Sequence, residues 1–280
     1  MEMHWVSGMN ESRIHASNLS AARLTEIKVT EINKELNPGT FWGVGVGPGP
    51  SGYMPLAALE VLQKADLVYA PRARSADTSV ALQCLAGIDL GLEPGAPRLR
   101  EIEFNMDPDR NVLSEHYAQL ADAIAVELRA GRNVAYLTIG DTMTYSTYGY
   151  VLAALLTRIP DLTHRTFPGI TSYAAAAAAL DWPLGEGKER TLILPCPEDA
   201  AALRHEIDTH DVVVLMKVGA RLPWVLALLR DMGIAEHCAF ARRIGLSGEL
   251  LASGLNTLSA TEAMGYLATL LIRKTPRQNR

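Results

Sequence analysis

The residues best placed to do chemistry follow one apolar run of the sequence. Gly140 and Asp141 follow residues 133–138 after Ile139, and five hydroxyl-bearing residues come next, Thr142, Thr144, Tyr145, Ser146 and Thr147. An apolar run without alternation is typical of a strand in a parallel sheet, where ligands bind beyond the carboxyl ends of the strands. Gly140 would admit a ligand to the backbone, and Asp141 would offer a carboxylate. A plain strand-to-helix turn, capped by Asp141 or Ser146, fits these residues equally well.

A glycine-rich loop follows the first predicted strand, over residues 43–52 (GVGVGPGPSG). The order strand, glycine loop and helix is that of a phosphate or nucleotide cradle. Position 48 is proline, which breaks the dinucleotide fingerprint, and the loop has no Gly-Lys-Ser/Thr ending of the Walker type. A tight turn under close helix packing therefore explains the loop as well as a ligand does.

Basic residues follow two other predicted strands. Arg72 and Arg74 come after residues 66–70, where they would meet an anionic ligand or form a solvated basic loop. Lys217 follows the apolar run 212–216. A lysine at the end of a buried strand must bring its ammonium to water or to an anion.

The elements that would position these residues alternate along the chain, which predicts an α/β fold. The predicted strands are 66–70, 99–104, 133–138, 162–167, 191–194, 212–216, 239–244 and 249–253, after a short first strand near residue 41. The main predicted helices are 111–130, 148–158, 197–208 and 223–231, and an alanine-rich helix ends at Leu180. Ser259 and Glu262 form a capping box that predicts one last helix. Residues 19–36 could form a further loose helix.

Composition and charge exclude several classes of protein. The chain has 280 residues and a net charge of −5, so no general attraction to nucleic acid or anionic membranes is expected. Cys84, Cys196 and Cys238 form no paired motif, and the seven histidines show no metal-ligand spacing, so we expect free thiols and no metal. No apolar run approaches the roughly 20 residues that span a bilayer. These features favour a cytoplasmic protein.

Five motifs in order resemble the tetrapyrrole (precorrin) methyltransferase family over about residues 39–272. They are GVGVGPG, a strand followed by GDTMTYST, PGITSYAAA, VVVLMKVG and ARRIGLSGE. Within the family, the branch that methylates C20 of precorrin-2 is the most similar. The resemblance implies two α/β domains with a ligand cleft between them. The domains would cover 39–172 and 173–274, between an extension over 1–38 and a tail over 275–280.

The resemblance also implies the ligands and the site. The methyl donor would be S-adenosylmethionine, the substrate a tetrapyrrole with or without cobalt, and the assembly a homodimer. The implied cofactor-binding residues are Pro48, Ile139, Gly140, Asp141, Thr144, Thr171, Ser172, Met216 and Gly245. Asp141 and Lys217 are the catalytic candidates, and the substrate-binding candidates are Arg72, Arg74, Arg190, Lys217 and Arg243. Relatives usually have Gly-Pro-Gly-Asp-Pro in the first loop, whereas this chain has Gly-Pro-Gly-Pro-Ser over 47–51, so an aspartate often considered functional is missing.

Other functions remain open at this point. Other enzymes of the same fold methylate uroporphyrinogen, diphthine or the ribose of ribosomal RNA. Because the chain is acidic and has no basic arm, an RNA substrate is the less expected one. A non-catalytic nucleotide-binding module would also explain the glycine loop. Only a methyltransferase would convert S-adenosylmethionine to S-adenosylhomocysteine.

Overall fold

The computed structural model describes residues 38–74, 76–104, 110–259 and 261–277, which contain two five-stranded sheets. The predicted helix over 19–36 lies outside these residues. The strands are β1 Phe41–Gly45, β2 Leu67–Ala73, β3 Leu99–Phe104, β4 Val134–Thr138, β5 His164–Phe167, β6 Thr191–Pro195, β7 Val212–Met216, β8 Ala239–Arg242, β9 Leu250–Ser253 and β10 Ala268–Arg273. The α-helices are α1 Leu56–Lys64, α2 Val80–Gln83, α3 Arg110–Arg129, α4 Tyr148–Arg158, α5 Ser172–Ala179, α6 Ala200–Thr209 and α7 Leu222–Asp231. Short 3-10 turns cover Ser51–Tyr53, Gly219–Arg221, Ala235–His237 and Glu262–Gly265.

The first sheet is parallel throughout, in the order β3-β2-β4-β1-β5. Helices α3 and α4 cover one face, where Leu120, Ile124 and Leu128 recur at helical spacing and are buried. Helices α1 and α2 cover the other face. Because both faces are covered, all five residues of β4 are buried, which is why the sequence shows no alternation there.

The second sheet is mixed, in the order β6-β7-β10-β8-β9. Strands β6 and β7 are parallel, whereas β10 runs antiparallel to both β7 and β8. Helices α6 and α7 pack on one face and α5 on the other. The alanine-rich α5 therefore packs on the sheet, where Ala175 and Ala176 meet Val214 and Leu271.

The predicted α/β class with two sheet-based halves is confirmed, and the chain passes from the first sheet to the second between Phe167 and Thr191. The domain bounds at 172 and 173 stay a prediction. The prediction of one last helix after the Ser259–Glu262 capping box is wrong, because residues 268–273 form β10. All six residues of this strand are buried, and a continuous apolar run cannot be told from a buried helix by periodicity.

Candidate active site

A cavity of about 710 Å³ lies at the carboxyl ends of β4 and β7 and is lined by residues from both sheets. Its lining includes eleven of the predicted site residues: Pro48, Arg72, Ile139, Gly140, Asp141, Thr144, Thr171, Ser172, Met216, Lys217 and Arg243. Cavities of about 300–1,000 Å³ are typical of small-molecule sites. The loops predicted from the sequence as ligand-binding are therefore brought together at one place.

Two glycines, Gly45 and Gly169, pack closely beside Gly140. A Cβ added to Gly169 would lie 2.0 Å from the carbonyl oxygen of Gly140, and a Cβ added to Gly45 would lie 2.5 Å from the nitrogen of Gly169. The backbones of the loops after β1, β4 and β5 therefore touch, which only glycine allows. Gly140 itself has φ +70°, and the nearest protein atom to an added Cβ is the Ile170 oxygen at 3.8 Å. Space is therefore open at Gly140, on the lining of the cavity.

Asp141 holds two loops together. Its Oδ2 accepts hydrogen bonds from the Met143 amide and the Thr144 hydroxyl, both at 2.9 Å. Its Oδ1 accepts from the Gly169 amide at 3.1 Å. Both carboxylate oxygens are therefore occupied by donors of the protein, and the role of Asp141 as a base stays a prediction.

The hydroxyls after Asp141 mainly stabilise their own loop. Thr142 is buried and donates to the Phe167 carbonyl at 3.2 Å, and Ser146 donates to the Thr142 carbonyl. The Thr147 hydroxyl lies 2.9 Å from the Tyr136 hydroxyl, and burial raises the pKa of Tyr136, which therefore stays protonated. The loop is thus fixed to the first sheet by side-chain bonds on both sides of Tyr145.

The turn after β5 brings a helix start to the cavity. Thr171 caps α5, since its hydroxyl accepts from the Ala174 amide at 3.4 Å. The Ser172 hydroxyl lies 2.9 Å from that of Thr269 on β10. The amino end of a helix carries partial positive charge, which favours an anionic group nearby.

Three cationic side chains line the cavity. Arg72 donates to the Ala76 carbonyl and lies 3.7 Å from Glu103. Arg243 donates to the Ser247 carbonyl at 2.6 Å. Lys217 is exposed, and among the described residues it has neither an ion pair nor a hydrogen bond.

Backbone strain is concentrated around the same cavity. Outside glycine, the described residues with positive φ are Tyr145, Lys217, Arg243 and Leu267, all of which line the cavity, together with Asp181, which does not. Their φ values lie between 48° and 54°. Non-glycine residues rarely adopt this conformation, and such strain clusters at ligand sites.

A family model, described as "Tetrapyrrole (Corrin/Porphyrin) Methylases", matches residues 40–257. This range contains both halves of the cavity except for the residues at and before β10. The chain belongs to the tetrapyrrole methylase family. Its members are methyltransferases, so the protein is an enzyme.

Two curated relatives of this methylase match most of both chains. The cobalt-precorrin-2 C(20)-methyltransferase of Salmonella typhimurium is 28% identical over 236 residues, covering 84% of this chain and 97% of the relative. The probable cobalt-precorrin-2 C(20)-methyltransferase of Methanocaldococcus jannaschii is 30% identical over 238 residues, covering 83% of this chain and 95% of the relative.

Solved structures of other methylases share the fold. A cobalt precorrin-4 methyltransferase has a TM-score of 0.60 at 19% identity, covering 84% of this chain and 94% of that one. The uroporphyrin-III C-methyltransferase of Thermus thermophilus, solved with S-adenosylhomocysteine, has a TM-score of 0.53 at 19% identity. The match covers 84% of this chain and 98% of that one.

Three predicted site residues of the methylase lie outside the cavity lining. Gly245 packs on the first loop, since an added Cβ would lie 2.1 Å from the nitrogen of Pro50. Arg74 is exposed and lies 3.4 Å from Glu103. Arg190 precedes β6 and donates to the Thr209 carbonyl, at the amino end of a strand whose carboxyl end points toward the cavity.

The sequence reasoning missed the wall formed by residues 265–269. Tyr266, Leu267 and Thr269 line the cavity because the antiparallel β10 begins there. These residues were expected in a helix, so no site was assigned to them. The polar pair of Tyr266 and Thr269 beside an apolar run was the one available signal.

Among the described residues, no group of three or more His, Cys, Asp or Glu side chains is arranged to hold a metal ion. No helix in the described ranges has the length and apolar character needed to cross a membrane. The three cysteines are free, as predicted, and all three are buried.

Proposed function

We propose that the protein transfers a methyl group from S-adenosylmethionine to C20 of precorrin-2, or of its cobalt form, in cobalamin biosynthesis. The names of the Salmonella and Methanocaldococcus relatives, which match nearly their whole length, support this substrate. We further propose that it acts in the cytoplasm, which the three free cysteines support.

The charge of the cavity supports the proposal most directly. Arg72, Lys217 and Arg243 line it, whereas the one carboxylate among its described lining residues, Asp141, has both oxygens hydrogen-bonded. The chain as a whole has a net charge of −5. A cationic cavity in an acidic protein suits a polyanion, and the tetrapyrrole substrate has eight carboxylates. Arg74 and Arg190 lie outside the lining and are not part of this proposal.

The wall contributed by the first sheet and α5 suits the methyl donor. Open space at Gly140 would admit it to the backbone, and Pro48, Ile139 and Thr144 would border it. The helix start at Thr171 and Ser172 favours a carboxylate such as that of a methionine moiety. Met216 would contact the adenosine part. When bound, S-adenosylmethionine supplies a methyl group on a positively charged sulfur.

Catalysis would depend mainly on positioning. C20 of the reduced tetrapyrrole is already nucleophilic through its enamine-like nitrogens, so the protein must chiefly align carbon, methyl and sulfur. Alignment of reactants can account for about 7–11 kcal/mol of the barrier. C20 must then lose a proton to Asp141 or to water, and the occupied oxygens of Asp141 favour water.

The test is incubation of the purified protein with S-adenosylmethionine and precorrin-2 under anaerobic conditions. We expect S-adenosylhomocysteine and a tetrapyrrole with one added methyl group, assigned to C20 by NMR. A parallel reaction with cobalt-precorrin-2 identifies the preferred form. Methylation of neither form, with S-adenosylmethionine bound, would contradict the proposed substrate, and uroporphyrinogen would then be tested.

Replacing Lys217 by Met is expected to raise the KM for the tetrapyrrole about three- to tenfold, because it removes a cation that would pair with a substrate carboxylate. The aliphatic stem remains, so folding and the affinity for S-adenosylhomocysteine should change little. The effect should be largest at low ionic strength, where screening is weakest.

Lys64→Met is the control, since Lys64 is exposed at the end of α1 and does not line the cavity. It removes the same charge from the chain. An unchanged KM in Lys217→Met at low salt, or an equal rise in the control, would show that Lys217 has no part in substrate binding.

We also propose that the enzyme is a homodimer formed through its first sheet half, at α4. Tyr150 on this helix is 63% exposed and stacks on Tyr117 of α3 at 5.1 Å, which leaves an aromatic surface facing outward. We expect a dimer by light scattering at micromolar concentration and a monomer for Tyr150→Glu. Leu56→Glu, at an 80% exposed residue of α1, should remain dimeric. A monomeric wild-type protein would contradict this proposal.

A further inference from the structure

One side chain connects the loop after β4 to the second sheet across the cavity. The Tyr145 hydroxyl donates a hydrogen bond to the Ile193 carbonyl on β6 at 3.1 Å. Tyr145 lines the cavity, is 42% exposed and has φ 51°, so its backbone is held in a disfavoured conformation. Strand β6 is an edge strand, so one side of it is not hydrogen-bonded to another strand and can accept such a bond.

Both partners of this bond are fixed to their own halves of the molecule. On the first half, the bond that Asp141 accepts from the Gly169 amide and the bond between Thr147 and Tyr136 hold the loop before and after Tyr145. On the second half, β6 pairs with β7 in parallel, with Pro195 opposite Met216. A shift of β6 would therefore be transmitted to Met216 and to Lys217 after it.

The opposite edge of the second sheet has a contact of its own. Gly245, after β8, packs on Pro50 of the first loop, since an added Cβ would lie 2.1 Å from the Pro50 nitrogen. Strands β6 and β9 are the two edges of this sheet, so the Tyr145 bond lies on the β6 side and the Gly245 contact on the β8–β9 side. The separation of the two cavity walls is thus set at both edges.

We propose that Tyr145 is a positioning residue that sets the distance between the wall formed by the β4 loop and the wall formed by Met216 and Lys217. The inference rests on the proposed function, in which the first wall and Met216 hold the methyl donor and Lys217 meets the tetrapyrrole. Removal of the hydroxyl would loosen the β6 side, and methyl and acceptor carbon would be aligned less often.

Tyr145→Phe keeps the ring and removes the bond. Tyr53→Phe is the matched control, because Tyr53 follows the first loop, is partly buried outside the cavity lining and makes no hydrogen bond through its hydroxyl to any described residue. In Tyr145→Phe we expect kcat to fall about three- to tenfold, the range expected for one lost hydrogen bond. The dissociation constant of S-adenosylhomocysteine should stay within about twofold. The control should match the wild type in kcat and in the dissociation constant of S-adenosylhomocysteine.

Hydrogen–deuterium exchange of the ligand-free protein tests the connection without the reaction. We expect faster exchange in residues 141–147 and 191–195 of Tyr145→Phe and not of Tyr53→Phe. Unchanged exchange, or faster exchange with an unchanged kcat, would overturn the proposal. If the wild type itself methylates no tetrapyrrole, the proposed function fails, and unaltered exchange in Tyr145→Phe would separately show that the bond does not hold the two walls.

Discussion

Replacement of Gly140 by Val is expected to abolish the binding of S-adenosylhomocysteine, a loss on the order of 100-fold or more, as for other misplacements at a tightly fitted site. Gly140 lines the cavity, and an added Cβ would have no protein atom nearer than 3.8 Å. The valine side chain would therefore enter the space reserved for the ligand. Isothermal titration calorimetry with the wild type and the variant measures the loss directly.

Backbone strain must be separated from this steric effect, because Gly140 has φ +70° and valine tolerates that conformation poorly. Gly87→Val is the control, since Gly87 has φ +85°, open space around an added Cβ and no place in the cavity lining. Each variant should lose about 1–2 kcal/mol of stability from strain. Equal affinities in the two variants would show that the ligand does not approach Gly140.

Gly169→Ala is expected to lower the free energy of unfolding by about 3 kcal/mol and to impair the enzyme even where it stays folded. The added Cβ would lie 2.0 Å from the Gly140 oxygen and 2.8 Å from the carbonyl carbon of Gly45. These are backbone atoms, so the loops after β1 and β4 would have to separate, at the upper end of what overpacking costs. Urea unfolding and S-adenosylhomocysteine titration measure both effects.

Gly149→Ala makes the same chemical change in α4, where an added Cβ has no neighbour within 4 Å. We expect the free energy of unfolding to rise by up to about 1 kcal/mol, because alanine favours the helix more than glycine does. If both alanine variants unfold like the wild type, the three-glycine contact does not constrain the loops.

Local patterns predicted several elements correctly from end to end. Strand β7 at Val212–Met216, β3 at Leu99–Phe104 and helix α4 at Tyr148–Arg158 have the predicted bounds. In each, the local pattern and the flanking residues agree with the final structure. Strand β10 has the same kind of apolar run, but only its two antiparallel neighbours decide that it is extended.

The site was predictable where a residue follows a parallel strand, and less so where its partners are distant. Lys217 and Gly140 reach the cavity because each comes at the carboxyl end of its strand. Arg74 also follows a strand but contacts Glu103, and Arg190 precedes β6 and contacts the Thr209 carbonyl. No local pattern could show either contact. Likewise, the sequence offered hydroxyls after Asp141 but not the bonds by which they hold their own loop.

The central place of β10 also bears on how the enzyme is made. Strands β1–β5 have all been synthesised once residue 167 leaves the ribosome, so the first sheet can assemble during translation. The second sheet must wait about another hundred residues, because β10 is the last strand of the described chain and lies between β7 and β8. Until then, β7 and β8 each present an unpaired edge, which is prone to aggregation. A nascent chain stalled before Ala268 would therefore be a natural client for a chaperone.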